Sequence, residues 1–134
     1  MPDITGRVHH VNVSVSDIEA SARWYEELFG LHELARIDDP DGAWTKVILR
    51  HDSGLLVGFT QHARNDGVPF EEWRCGTDHI ALDVGTLEQL HSWLGRLDEL
   101  GVTRSEIKTT SLGALITIRD PDNVQLELYA AHTG

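Results

Sequence analysis

The amino-acid sequence predicts an α+β fold made of two copies of one βαβββ unit. Three observations carry that reading. The stretch "HHVNVSV" at residues 9–15 returns as "DHIALDV" at 78–84. A capped, amphipathic helical pattern follows each of them. An offset of 69 residues, the distance from His10 to His79, then keeps apolar positions in phase through three strands after each helix, as in a duplicated chain.

The elements follow in order. Val11, Val13 and Val15 alternate with polar residues, as do Ile80, Leu82 and Val84; a period of two marks strands with one buried face. Ser16-Asp17-Ile18-Glu19 and Thr86-Leu87-Glu88-Gln89 have the capping-box form, a hydroxyl and a Glu or Gln satisfying the first free amides. Ile18, Ala22, Tyr25, Leu28 and Phe29 make one helical stripe, and Leu87, Leu90, Leu94 and Leu97 the other. Gly30 and Gly101 follow the helices, where a left-handed residue is wanted. Strands are expected near 31–37, 43–51 and 54–61, and again near 103–110, 112–119 and 123–131. The offset pairs Val47 with Ile116, Leu49 with Ile118, Val57 with Leu126 and Phe59 with Leu128.

With 134 residues the chain reads as one domain spanning 1–134: a unit at 8–61, a linker at 62–76 and a unit at 77–131. Phe70 and Trp73 in the linker predict that it packs on something. A formal charge of −11 excludes nucleic acid as a partner, because phosphate binding needs clustered Lys and Arg. The lone cysteine, Cys75, cannot form an intramolecular disulfide. The stretch "MPDITGRVHH" lacks the basic-then-apolar pattern of a signal peptide, and no apolar run approaches membrane-spanning length. A cytoplasmic protein is expected, with no membrane partner.

Strand parity selects the functional candidates. With the valines of the first strand under the helix, His10, Asn12 and Ser14 face the other side. His79, Ala81 and Asp83 follow by repetition. In "NVQLELY" the leucines Leu126 and Leu128 are in the buried phase, so Gln125, Glu127 and Tyr129 share the histidine face. His9, His32, His51 and His91 read as background. Two imidazoles and a carboxylate, His10, His79 and Glu127, form a donor set suited to one Fe(II), Mn(II), Ni(II) or Zn(II) ion, with open positions for substrate.

The stretches "HHVNVSVSDIEASARWYEELFGL", "DHIALDV" and "RDPDNVQLELY" resemble the vicinal oxygen chelate superfamily, which includes glyoxalase I, extradiol dioxygenases, fosfomycin-resistance enzymes and bleomycin-binding proteins. The resemblance implies a glyoxalase-like fold of open mixed-sheet cups, with metal ligands on the first and last strands of the units, at His10, His79 and Glu127. Glyoxalase I has a fourth ligand, a carboxylate that the offset maps onto Gly58. This chain therefore offers three donors, which points to dioxygenase-like or lyase-like chemistry on a small substrate with neighbouring oxygens. The alternative is a non-catalytic antibiotic- or metabolite-binding (resistance) protein; bleomycin-binding members lack the ligands, so the intact set favours an enzyme. Around the metal, Asn12, Trp44, Lys46, Thr117 and Arg119 are expected to line the substrate pocket; Lys46 and Arg119 could hold an anion there, although strand-end cations more often reach solvent. Tyr129, two residues past Glu127 on one face, is the candidate acid or base. Cup halves in this family often come from different chains. A homodimer is therefore expected, His10 from one chain meeting His79 and Glu127 of the other.

Overall fold

The computed structural model describes residues 1–132. Its elements are β1 (Val11–Ser14), α1 (Ile18–Phe29), β2 (His32–Asp38), β3 (Trp44–Arg50), β4 (Leu56–His62), β5 (His79–Asp83), α2 (Leu87–Glu99), β6 (Lys108–Thr109), β7 (Gly113–Arg119) and β8 (Gln125–Ala131). The chain divides into two compact units, Met1–Val68 and Pro69 onward. The break falls inside the segment read as a linker, and residues 133 and 134 lie outside the described residues.

Each unit is a four-stranded mixed sheet, ordered β1-β4-β3-β2 in the first and β5-β8-β7-β6 in the second. The first strand pairs with the last in parallel, and the remaining pairs are antiparallel. The offset of 69 extends to the pairing itself. Val11 lies opposite Val57 and Val13 opposite Phe59, while Ile80 lies opposite Leu126 and Leu82 opposite Leu128. One hydrogen bond extends each parallel ladder, from Val15 N to the Thr60 carbonyl and from Val84 N to the Tyr129 carbonyl. The α+β reading with two βαβββ units is thus what the chain adopts.

The helices pack on the apolar faces. In the first unit Ile18, Ala22, Tyr25 and Leu28 of α1 are buried together with Val13, Val47, Leu49, Val57 and Phe59. The Tyr25 and Phe59 rings meet at 4.7 Å. In the second unit Leu90 and Leu97 are buried with Ile116, Ile118, Leu126 and Leu128; burying each such side chain contributes about 1.5–3 kcal/mol. Leu87 is 52% exposed, contrary to the stripe expected from sequence. It stands at the first helical position and leans toward the helix N-terminus, so the packed stripe begins at Leu90.

The caps explain the helix bounds. Thr86 accepts from the Gln89 amide at 3.1 Å, as expected. In α1 the cap is Asp17 rather than Ser16: its carboxylate accepts from the Ala20 amide at 3.1 Å, and Asp caps as well as Ser. Gly30 and Gly101 both have φ of 69°, closing each helix in the left-handed conformation.

The strand expected at 103–110 shrinks to Lys108–Thr109, preceded by one bridge between Arg104 and Ile118. Ser105 is the reason. Its backbone N donates to the Thr117 carbonyl, but its side-chain hydroxyl, not a carbonyl, accepts from the Thr117 amide at 2.9 Å. A side chain thus replaces the ladder partner and the strand bends away. Arg104 is drawn to Asp98 on α2 at 2.9 and 3.0 Å.

The second half of the linker is tied down. Phe70 N donates to the Asp122 carbonyl, Asn123 donates to the Phe70 carbonyl, and Arg119 pairs with Glu72. Phe70 is half-buried, whereas Trp73 is 74% exposed and covered by the Arg74 guanidinium, 4.6 Å from its ring. None of the described helices is long and apolar enough to cross a membrane.

Two glycines test this packing. A Cβ at Gly113 would lie 2.3 Å from the Ala130 carbonyl oxygen and 2.8 Å from the Tyr129 ring. Gly113→Ala should therefore cost roughly 1–3 kcal/mol in urea unfolding. Gly95 sits inside α2 with nothing within 4 Å of an added Cβ. Gly95→Ala should instead stabilise by about 0.5–1 kcal/mol.

Candidate functional site

The second unit brings two of the sequence-selected donors together. Pairing of β5, β8 and β7 sets His79 beside Gln125, Ala81 beside Glu127 and Thr117 beside Glu127. Leu126 and Leu128 take the helix face, so Glu127 is left on the opposite one. Its Oε2 stands 3.3 Å from His79 Nε2, with the two side chains 14% and 40% exposed.

The other ring nitrogen of His79 is already committed. Nδ1–H donates to Asp78 Oδ1 at 2.8 Å. That bond fixes the tautomer of the neutral ring and turns its Nε2 lone pair toward Glu127. A lone pair and a carboxylate oxygen at this distance repel unless a positive charge lies between them. A proton can serve: the Asp78 hydrogen bond raises the His79 pKa above its ordinary 6.5, partial burial opposes the rise, and the Glu127 charge adds to it. A divalent cation can serve equally. Two donors bound at about 2.0–2.2 Å, subtending between a right and a tetrahedral angle, lie roughly 2.8–3.6 Å apart. The 3.3 Å separation fits that span.

The first unit carries His10, Asn12, Trp44 and Lys46. His10 lies one residue before β1 and is exposed. Its Nδ1 is 2.9 Å from His9 Nδ1. Asn12 stands opposite Gly58, and its Oδ1 accepts from the buried Thr60 hydroxyl at 2.8 Å. A Cβ at Gly58 would lie 2.7 Å from Asn12 Nδ2. The space beside Gly58 is therefore taken by the Asn12 side-chain amide. Lys46 Nζ sits 4.6 Å from the centre of the Trp44 ring, a cation–π contact. Trp44 also lines an open cleft of about 210 Å³ with Thr45, Gln61 and His62.

Tyr129 and Arg119 are both engaged. The Tyr129 hydroxyl is 3.0 Å from the Thr110 hydroxyl, which also accepts from the Leu112 and Gly113 amides and donates to the Gly113 carbonyl. Thr110 has one proton to give, so Tyr129 is the donor in their contact and its oxygen keeps free lone pairs. Arg119 is held by Glu72, the Asn123 carbonyl and Gln125 Oε1. Thr117 is half-buried. Among the described residues no three His, Cys, Asp or Glu side chains are grouped to hold a metal ion: His79 and Glu127 belong to the second unit, His10 to the first.

Two residues escaped the sequence reading. Asp78 and His9 each immediately precede a candidate histidine and contact its Nδ1. The offset of 69 makes them equivalent, which is the signal that could have found them.

The profile of the Glyoxalase/Bleomycin resistance protein/Dioxygenase superfamily matches residues 7–128. The chain belongs to this superfamily. Among solved structures, a glyoxylase/bleomycin resistance protein/dioxygenase domain from Frankia sp. EAN1pec is 27% identical, with TM-score 0.87 over 97% of this chain and 100% of that one. A glyoxalase family protein from Enterococcus faecalis is 21% identical, with TM-score 0.76 over 93% and 98%. A mutant of the fosfomycin resistance protein FosX from Listeria monocytogenes, complexed with Mn(II) and 1S,2S-dihydroxypropylphosphonic acid, is 19% identical, with TM-score 0.71 over 96% and 95%. The last two likenesses establish a shared glyoxalase fold. Among curated proteins none matches by sequence.

Asp78→Asn should lower the His79 pKa toward its ordinary 6.5, because a neutral amide stabilises imidazolium less than a carboxylate does. A histidine NMR titration of metal-free protein reads this; an unchanged pKa would show that Asp78 does not hold the ring.

Proposed function

We propose that this chain is a divalent-metal-dependent enzyme of the vicinal oxygen chelate type, acting on a small substrate with two neighbouring oxygens by dioxygenase-like or lyase-like chemistry. One observation carries the reading. The ring of His79, its Nδ1 spent on Asp78, faces Glu127 Oε2 across 3.3 Å, an arrangement that asks for a cation. His10 is the third donor, being the repeat equivalent of His79. Fe(II), Mn(II), Ni(II) and Zn(II) all suit two imidazoles and a carboxylate. The FosX structure with Mn(II) and a vicinal dihydroxy ligand supports that choice of substrate class.

When bound, the cation supplies Lewis acidity to the two substrate oxygens. The chain's own residues supply the rest. Asn12, fixed through its Oδ1 by Thr60, offers an N–H toward a substrate oxygen where a fourth carboxylate would otherwise stand. That substitution favours the non-glyoxalase I chemistries. Lys46, anchored over Trp44, is available to an anionic group. Thr117 and Arg119 flank Glu127 and Gln125 and complete the pocket lining. Tyr129 donates a hydrogen bond to Thr110 and keeps its proton, so its oxygen presents lone pairs suited to accept a hydrogen bond from a substrate hydroxyl.

His79→Ala should reduce bound metal severalfold by elemental analysis of untagged protein, since two remaining donors hold a cation poorly. Full metal retention in the combined His10→Ala, His79→Ala protein would overturn the metal reading, and ligand binding independent of metal would favour a sequestering protein.

The same reading includes a homodimer with sites shared between chains, His10 of one with His79 and Glu127 of the other. Mixing a His10→Ala chain with a Glu127→Ala chain tests it. Both lesions then fall in one site of a mixed dimer, and about half of its sites should regain metal by symmetry. No recovery on mixing, or a monomer by light scattering, would contradict the shared arrangement.

A further inference from the structure

Each candidate histidine is preceded by a residue that contacts its Nδ1, and the two preceding residues differ. In the second unit the partner is Asp78, an acceptor with no proton of its own, so His79 must donate. In the first unit the equivalent position holds His9, with the two Nδ1 atoms 2.9 Å apart and the rings edge to face at 84°. One proton must lie between those nitrogens. If it belongs to His9, then His10 carries its own proton on Nε2 and cannot bind a cation there. If it belongs to His10, then Nε2 of His10 is a bare lone pair, as Nε2 of His79 is.

We propose that His9 is a positioning residue that accepts the Nδ1 proton of His10 and thereby holds His10 Nε2 open as a donor. The duplicated register carries the argument. His9-His10 and Asp78-His79 occupy the same place before β1 and at the start of β5, and the repeat reproduces the contact as well as the residue. The neighbouring His9 ring thus does for His10 what Asp78 does for His79.

The two donors then differ in strength. A carboxylate partner makes a charge-assisted bond and a more basic imidazole, whereas a neutral imidazole makes an ordinary bond. His10 is the weaker ligand of the pair. The proposal rests on the metal reading only in its second consequence, affinity. The first, the tautomer of His10, is a property of the metal-free chain.

The experiment uses the full chain in three forms: wild type, His9→Phe and His9→Asp. Nitrogen-15 NMR of metal-free protein at about pH 8, above the ordinary histidine pKa, reads the His10 tautomer. A Zn(II) titration reads affinity. In wild type His10 should carry its proton on Nδ1. His9→Phe should abolish that preference and weaken Zn(II) binding by about tenfold to a hundredfold, the usual effect of losing such a partner. His9→Asp should restore the Nδ1–H form and bind at least as tightly as wild type. His9 is exposed, so none of these changes disturbs the core. A His10 protonated on Nε2 in wild type, or a tautomer unchanged in His9→Phe, would overturn the proposal. If the tautomer responds as stated but wild type takes up no Zn(II), the positioning role stands and the metal reading fails.

Discussion

Parallel pairing of the first strand with the last, in one fixed register, is the constraint from which the rest of each unit follows. Where Ile80 meets Leu126 and Leu82 meets Leu128, these residues fall under the helix, and His79, Glu127 and Tyr129 fall on the other side. A slip of one residue would bury Glu127 beneath α2 and expose the leucines. The cost of burying an unpaired carboxylate forbids that slip. The packing that stabilises the unit is therefore the same packing that sets Glu127 beside His79. Stability and chemistry are written on alternate residues of the same strands.

That placement leaves the site with an excess of acceptors. His79 Nε2 and Glu127 Oε2 face one another, and Asp78 adds a further carboxylate behind the ring. An acidic surface around an imidazole attracts positive charge, whether proton or metal, and the raised His79 pKa is the metal-free expression of this. The first unit is built with less charge. Its histidine is backed by another histidine, and the place of a possible carboxylate is Gly58 roofed by the Asn12 amide. The duplicated units share a scaffold, but the donors they present are unequal.

Much of this was legible in the sequence, because strand alternation and the repeat offset depend on residue type alone. The two units, their helices and the face carrying His79 and Glu127 all follow from the spacing of valines and leucines. Other features depend on a side chain reaching a backbone or another side chain, which periodicity does not encode. Ser105 inserts its hydroxyl into a ladder and shortens β6. Asp17 caps α1 in preference to its hydroxyl neighbour. Arg119 meets Glu72, 47 residues away, and no local pattern announces that contact. Asp78 was visible only as the first letter of a motif, and His9 read as background; their contacts with the next ring depend on ring orientation, which two side-chain torsions decide.

In the proposed function, the Asp78-oriented His79 and Glu127 form part of a divalent metal centre. Anomalous diffraction at the manganese edge, from crystals grown with Mn(II), tests it most directly. The expected result is an anomalous peak bonded to His79 Nε2 and Glu127 Oε2, with His79 Nδ1 still on Asp78. A peak bound elsewhere, or His79 and Glu127 in direct hydrogen-bonded contact beside saturating Mn(II), would contradict it.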